Sequence, residues 1–265
     1  MLIPNVLTIA GSDSSGGAGI QADIKSISAA GGYAMTAITA LTAQNTQGVR
    51  GIAPTSCEFL RLQLDAIASD IRIDAIKIGM LGASDIVTTV AEWLTTVPDI
   101  PVVLDPVMIA TSGARLLDAD AMAAVRELLP AATVITPNLP ELAEITGEAV
   151  CDTVDAAVEQ ARRYIDSLSS ETAVVVKGGH AQGPTADNVL VTAGGTTFRA
   201  ACSRVDTPHT HGTGCSLSSA LATRMVLHSL PDAVRWSTDW LHGAIVHADQ
   251  LEVGAGSGPI HHFYR

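Results

Sequence analysis

Val6-Leu7-Thr8-Ile9-Ala10-Gly11-Ser12-Asp13-Ser14-Ser15-Gly16-Gly17-Ala18-Gly19-Ile20-Gln21-Ala22-Asp23 runs from a short, mostly apolar segment through a polar glycine loop into a helical pattern. Val6 to Ala10 reads as a buried strand, and Ile20, Ile24, Ile27 and Ala30 recur at helical spacing. The alternation continues down the chain. Strands are expected at Met35 to Leu41, Ala75 to Ile78, Pro101 to Leu104, Thr133 to Thr136, Ala173 to Val176, Val189 to Thr192 and Thr196 to Ala200. Helices are expected at Glu58 to Ala68, Ser84 to Leu94, Ala119 to Leu129, Glu141 to Ile145, Val154 to Leu168, Gly214 to Leu227 and Pro231 to Asp249. Such alternation implies right-handed crossovers and a parallel sheet covered on both faces, an α/β fold. The pair within Asp187 to Ala200, turning at Gly194-Gly195, reads instead as a hairpin and puts an antiparallel edge late in the sheet. No linker rich in Pro, Ser or charge interrupts the chain, so residues 1–265 are expected to form one domain.

Composition narrows the partners. Hydrophobic residues make up 47% of the chain and aromatics only 3%, so the core must be built from Ala, Val, Ile and Leu, which suits buried parallel strands. A formal charge of −12 with scattered Lys and Arg would repel nucleic acid, and no basic arm opposes that. A small phosphate ligand is still compatible, because local amides, one Lys and a cation can hold it. Cys57, Cys151, Cys202 and Cys215 show neither paired nor zinc-like spacing, and a reducing cytoplasm fits best. Met1 to Asn5 has no basic leader region and the apolar run breaks at Gly11, so neither a signal peptide nor a membrane span is expected.

In open parallel sheets, ligands bind beyond the carboxyl ends of the strands. The first such loop has P-loop glycine spacing from Gly11 to Gly16, but Gly17-Ala18 stand where Lys and Ser/Thr would be required, which excludes a Walker site. Gly17 to Ala22 loosely matches a dinucleotide fingerprint without an acidic ribose ligand after the next strand, and a dehydrogenase stays open as an alternative. The loop better suits a small polar substrate resting on glycine backbone such as Gly11, with Asp23 pointing back from the helix. Gln44, at the end of the next strand, has a donor and an acceptor to read a heterocycle edge. Together Asp23 and Gln44 would suit an aminopyrimidine, although Asp23 could equally serve the helix dipole.

Asp105 ends the run Val102-Val103-Leu104-Asp105-Pro106, and Asn138 and Glu141 open the helix after Thr136-Pro137. Two hard carboxylates on neighbouring loops could hold magnesium alongside substrate phosphates. The alternative is structural, with Asp105 fixing a turn and Glu141 capping a helix. Lys177, at the end of Val174-Val175-Val176, offers a compact cation for phosphate. Thr210-His211-Gly212-Thr213-Gly214-Cys215 precedes a small-residue helix and reads either as an anion cradle of backbone amides or as a glycine loop before a packed helix. Cys215 would fall in the first turn, where the dipole favours thiolate. His209 and His211 lack metal spacing and read as polar support.

Taken in order, Ala10 to Asp23, Ala40 to Thr46, Lys77-Ile78-Gly79-Met80-Leu81, Asp105-Pro106-Val107-Met108, Thr136 to Glu141, Lys177 to His180 and Thr210 to Cys215 resemble the hydroxymethylpyrimidine/phosphomethylpyrimidine kinases of thiamine biosynthesis. The likeness covers nearly the whole chain, and the cysteine at position 215 is specific within the wider ribokinase-like superfamily, where Asp commonly fills that place. The resemblance implies a three-layer α/β/α ribokinase-like fold without a large lid. It also implies ATP-dependent phosphorylation of 4-amino-5-hydroxymethyl-2-methylpyrimidine and then of its monophosphate. By position it implies that Asp23, Gln44, Met80 and Val107 line the pyrimidine pocket, Asp105 and Glu141 organise magnesium, and Asn138 and Lys177 contact ATP phosphates. Gly212, Thr213 and Gly214 would stabilise the transferring group, and Cys215 would act as catalytic base. A homodimer is expected, since a small site without a lid can be completed by a neighbouring subunit.

Two segments depart from the family pattern. Pro208-His209 stand in place of Lys-Asn, and Gly256-Ser257-Gly258-Pro259-Ile260-His261-His262 replaces a tail reading Gly-His-Gly-Pro-Val-Asn-His. Pyridoxal kinase is the nearest rival reading. A binding-only pyrimidine sensor would be expected to lose Cys215, the cradle glycines or Glu141, and this chain retains all of them. The chain ends at Arg265, and no fused thiamine-phosphate synthase domain is expected.

Overall fold

The computed structural model describes residues 2–108, 119–168 and 170–265. Nine strands make one sheet: β1 (Asn5–Asp13), β2 (Tyr33–Asn45), β3 (Gly48–Pro54), β4 (Ala75–Ile78), β5 (Val102–Leu104), β6 (Val134–Ile135), β7 (Ala173–Lys177), β8 (Asn188–Val191) and β9 (Thr197–Ala200). Their order is β3-β2-β1-β4-β5-β6-β7-β8-β9, with β2, β1, β4, β5, β6 and β7 mutually parallel. Helices α1 (Gly19–Ala29), α7 (Thr213–Arg224) and α8 (Leu230–Val246) cover one face. On the other face lie α2 (Cys57–Ala68), α3 (Ser84–Leu94), α4 (Ala119–Leu128), α5 (Leu139–Thr146) and α6 (Val154–Ser167). These three layers are the ribokinase-like arrangement the resemblance implies, and among the described residues no second sheet stands over them.

Strand alternation divides the core between the two faces. Leu7, Ile9, Ile76, Ile78, Val102 and Leu104 pack toward α2 to α6. Val6, Ala75, Val103, Val134 and Val175 pack toward α1, α7 and α8. Thr8 and Lys77 share the parity of Val6 and Ala75, so a hydroxyl and an ammonium are driven into the α1/α7 layer, where both are fully buried. The chain leaves β1 outward to β2 through α1 and returns to β4 through α2 on the opposite face. The strand order therefore reverses beside β1, and a crevice opens there at the carboxyl ends.

β8 and β9 form the hairpin the sequence predicts, with β8 antiparallel to both β7 and β9. A second antiparallel strand, β3, was not predicted. Gly48–Pro54 is largely exposed and shows no apolar alternation; pairing with an extended β2 defines it, from Ala40 opposite Pro54 to Asn45 opposite Gly48. The first strand also continues past Gly11 to Asp13, because Ser12 and Asp13 pair with Leu41 and Thr42 after a register shift.

Candidate active site

Beyond the strand ends lies a cavity of about 830 Å³, room for a nucleotide and a small second substrate. Gly11, Gln44 and Met80 reach it from the β1, β2 and β4 side, and Asp105 and Val107 follow β5 in the middle. Asn138, Glu141 and Lys177 come from the β6 and β7 side, and Gly212, Thr213, Gly214 and Cys215 close the wall from the start of α7. Every site residue expected from the sequence lines this cavity except Asp23.

The cradle is locked to the first glycine loop. Gly212 is the N-cap of α7 at φ 81°, and a β-carbon there would overlap the Gly17 carbonyl oxygen. Thr213, Gly214 and Cys215 follow as the first three helical residues, whose amides have no acceptor four residues back. Asp13 holds the joint from below. Its carboxylate accepts the Ser15 amide and hydroxyl and the amides of Gly17 and Ala18, and Oδ2 is 2.9 Å from His211 Nε2. Burial alone would raise this carboxyl, but the bonds from His211, Ser15 and Ala18 hold it well below the usual carboxylate range. Gln44 Nε2 lies 3.2 Å from the same His211 nitrogen. One buried imidazole therefore ties together the glycine loop, the cradle and the end of β2, and it stands on the cavity wall itself.

The charged cluster lies across from the cradle. Lys177 Nζ is 2.6 Å from Asp105 Oδ1 and 3.4 Å from Glu141 Oε2, and the Thr136 hydroxyl donates to Asp105 Oδ1 at 3.0 Å. Burial disfavours the Lys177 ammonium, yet Asp105 and Glu141 hold its pKa above the ordinary value. Burial pushes the Glu141 carboxyl up, against the pull of Lys177. Asn138 and Glu141 also cap α5 reciprocally: the Asn138 amide donates to Glu141 Oε2 at 2.8 Å and the Glu141 amide to Asn138 Oδ1 at 2.9 Å. The structural role weighed for Glu141 is thus present, on a residue that also faces the cavity. Gly214 brings the two halves together, since a β-carbon on it would lie 3.2 Å from Asp105 Oδ2 and 3.3 Å from Lys177 Nζ. Among the described residues no group of three or more His, Cys, Asp or Glu could hold a metal alone. Two buried hard carboxylates supplemented by phosphate oxygens do fit magnesium, which dehydrates reluctantly and uses few protein ligands.

Two expectations need correction here. Burial, not the helix dipole, dominates at Cys215: it pushes the thiol up to about 11, with Asp23 and Asp105 acting in the same direction and Lys77 and the Gly19 amide opposing. Asp23, expected on the pyrimidine pocket, is wholly buried within the α1/α7 layer. Its carboxylate accepts from the Thr8 hydroxyl at 2.6 Å, the Ser219 hydroxyl at 2.8 Å and the Lys77 ammonium at 2.9 and 3.0 Å. With both oxygens occupied it has no face for a ligand. Its partner Lys77 loses charge stability to burial, but the Asp23 and Asp105 carboxylates oppose that loss and hold its pKa above the ordinary value. Lys77→Met should therefore lower stability by about 3 to 5 kcal/mol, the usual cost of orphaning one partner of a buried pair. Adding Asp23→Asn should recover part of that loss in denaturant unfolding, and additive losses would refute the coupling.

Sequence reasoning passed over several cavity residues on the β8 and α8 side. Asn188, Cys202, Arg204, Thr238 and His242 all line it. Arg204 donates to the carbonyl oxygens of Gly178, Gly179, Ala181, Gly183 and Thr185, which fixes the loop after β7. A lone Arg has no sequence signature for such a role. Thr238 and His242 share a face of α8 by their spacing of four, a weak signal that nothing else in the sequence strengthened.

A crevice at the strand reversal, a helix-start cradle and a Lys–carboxylate cluster opposite it together define a ribokinase-like small-molecule kinase fold and site. The phosphomethylpyrimidine kinase family model matches residues 13–261, and the chain belongs to that family. The thiamine biosynthesis multifunctional protein ThiED of Corynebacterium efficiens is 55% identical over 261 residues, covering 98% of this chain but 35% of that protein's length. The hydroxymethylpyrimidine/phosphomethylpyrimidine kinase of Escherichia coli is 47% identical over 262 residues, covering 98% of this chain and 97% of that protein. Among solved structures, the ADP complex of Bacillus subtilis pyridoxal kinase superposes with a TM-score of 0.87 at 34% identity, covering 98% of both chains. Family membership closes the dehydrogenase alternative.

Proposed function

We propose that this chain transfers the terminal phosphoryl group of ATP to the hydroxymethyl oxygen of 4-amino-5-hydroxymethyl-2-methylpyrimidine, and then phosphorylates the monophosphate to the diphosphate, in thiamine biosynthesis. The observation that carries the reading is one helical turn. It holds both the amides of an anion cradle and Cys215, and its Gly214 backbone lies against Lys177 and Asp105. Phosphoryl transfer has a loose transition state, so positioning and charge stabilisation are most of the catalysis.

In this reading Gln44 presents its amide to the pyrimidine edge, while Gly11, Met80 and Val107 give the ring a flat backbone and apolar walls. The hydroxymethyl oxygen attacks the terminal phosphorus of ATP, the bond from that phosphorus to the bridging oxygen breaks with ADP leaving, and the hydroxyl proton passes to the thiolate form of Cys215. The amides of Gly214 and Cys215 donate to the transferring group, and Lys177 and Asn138 hold donor phosphates. Magnesium, held by Asp105 and Glu141 together with phosphate oxygens, would neutralise charge on the donor.

The second reading, pyridoxal phosphorylation, is favoured by the likeness to the Bacillus subtilis enzyme. Incubation with Mg-ATP and, separately, the pyrimidine alcohol, its monophosphate and pyridoxal, with products resolved by mass, tests both. Pyrimidine mono- and diphosphate are the expected products. Product from pyridoxal alone would overturn the assignment, and no product from any of them would leave a binding-only protein. We extend the proposal to a cytoplasmic homodimer. The four cysteines are free thiols, and no helix among the described residues is long and apolar enough to cross a membrane. The exposed outer edge of β3 offers a contact for a second copy, and sedimentation velocity at twice the 27.3 kDa chain mass would support it.

A further inference from the structure

The two segments in which the chain departs from the family pattern lie against each other, although they are far apart in sequence. The Ser257 hydroxyl donates to the Pro208 carbonyl oxygen at 2.8 Å, and the Gly258 amide donates to His209 Nδ1 at 3.2 Å. That bond fixes the tautomer, because Nδ1 must be the bare nitrogen. The proton then sits on Nε2, which faces Asp249 Oδ1 at 3.4 Å. Asp249 also takes the Thr207 hydroxyl at 3.5 Å, and Thr207 in turn accepts the His209 amide at 3.2 Å.

From this contact the tail runs across the site. The His211 amide donates to the Gly258 carbonyl oxygen at 3.1 Å, so the residue before the cradle is hung directly on the tail. Upstream, the Gly256 amide donates to the Thr46 hydroxyl at 3.2 Å, two residues beyond Gln44. A β-carbon on Gly256 would overlap the Thr46 carbonyl oxygen, and one on Gly258 the His209 ring. Downstream, Ile260 is buried against α8, the His261 amide donates to the Ala244 carbonyl oxygen at 3.0 Å, and His262 Nε2 meets the Ser216 hydroxyl at 3.0 Å. Ser216 follows Cys215 on α7. The tail therefore grips the cradle on both sides, at His211 and at Ser216, and ties it to the arm that carries Gln44.

We propose that residues 254–262 form a strap that sets the position of the Gly212-to-Cys215 cradle, and that His209 is its clasp. His209 does not line the cavity; it is a positioning residue that acts through Gly258 and His211. The proposal rests on the phosphotransfer reading, and it predicts a defect in turnover rather than in substrate capture, because the strap contacts the cradle while none of residues 254–262 lines the cavity.

The test compares His209→Ala with His209→Asn in the full chain. Asn keeps a side-chain oxygen able to accept the Gly258 amide, whereas Ala removes the acceptor. His209→Ala should lower kcat for the pyrimidine alcohol roughly three- to tenfold, the scale of one lost positioning hydrogen bond, with KM for either substrate within about twofold. His209→Asn should restore kcat. Amide hydrogen exchange followed by mass spectrometry should show residues 210–217 exchanging faster in the Ala variant and at the wild-type rate in the Asn variant. Wild-type turnover and exchange in His209→Ala would overturn the strap, as would an Asn variant no better than Ala. If the wild-type protein itself fails to phosphorylate the pyrimidine alcohol, the function reading falls, and the exchange comparison still decides the strap.

Discussion

Cys215→Ala is expected to slow phosphorylation of the pyrimidine alcohol by about 10²- to 10⁴-fold, the usual contribution of a positioned general base, while the dissociation constant of that alcohol stays near wild type. The second transfer should suffer far less. Its acceptor is a phosphate oxygen, already ionised above a pKa near 6, so no proton has to be removed when it attacks. A single substitution should therefore separate the two steps and cause the monophosphate to be consumed faster than it is made. The pH dependence follows from burial. Because burial pushes the thiol up to about 11, kcat/KM for the alcohol should climb through the alkaline range, and that rise should vanish in Cys215→Ala. Stability moves the other way. The folded protein holds the thiol proton more tightly than an unfolded chain with a value of 9.0, so the associated stability is complete below pH 9 and drains away as pH rises toward 11. Equal losses in both transfers, or an alkaline limb that survives the substitution, would remove Cys215 from the base role.

The parallel sheet was legible because buried strands and amphipathic helices leave opposite periodicities. Ala75–Ile78 and Ser84–Leu94 appear at the residues the pattern names. Gly48–Pro54 left no such trace, since an exposed edge strand is defined by its partner's backbone and not by its own side chains. The candidate site divides in the same way. Lys177, Asp105 and Gly212 were legible as residue types at strand ends and at a helix start, where chemistry and position coincide. Asp23 was misread because a carboxylate one turn into a helix has the same sequence signature whether it faces a ligand or an internal cation. Only the parity of Lys77 on β4 shows which it faces. The thiol of Cys215 was misjudged for a related reason: the helix dipole is visible in sequence, but the desolvation that outweighs it depends on packing. Arg204 acts through backbone carbonyls of the loop after β7, and such partners have no side-chain signature to find.

Lys177→Met tests the cluster in which charge is most concentrated. The ammonium is the only side-chain cation that the described ion pairs place against both Asp105 and Glu141, and removing it leaves two buried carboxylates facing one another. Breaking such a pair costs about 3 to 5 kcal/mol, and Glu141, already pushed up by burial, loses the charge that opposes that rise. Turnover should fall by about 10²- to 10³-fold, the scale set by deleting one preorganised group that stabilises transition-state charge. Magnesium should act on this variant more strongly than on the wild type. A divalent cation would then be the main counter-charge for the two carboxylates, so its binding to the folded state gains free energy and should raise the variant's melting temperature by more than the wild type's. Thermal unfolding with and without magnesium, in the presence of a non-hydrolysable ATP analogue that supplies the phosphate oxygens, measures that difference apart from catalysis. If the metal raises both melting temperatures equally, Asp105 and Glu141 are not its ligands. If turnover also survives, Lys177 serves the fold alone and the transferring phosphoryl group lies elsewhere in the cavity.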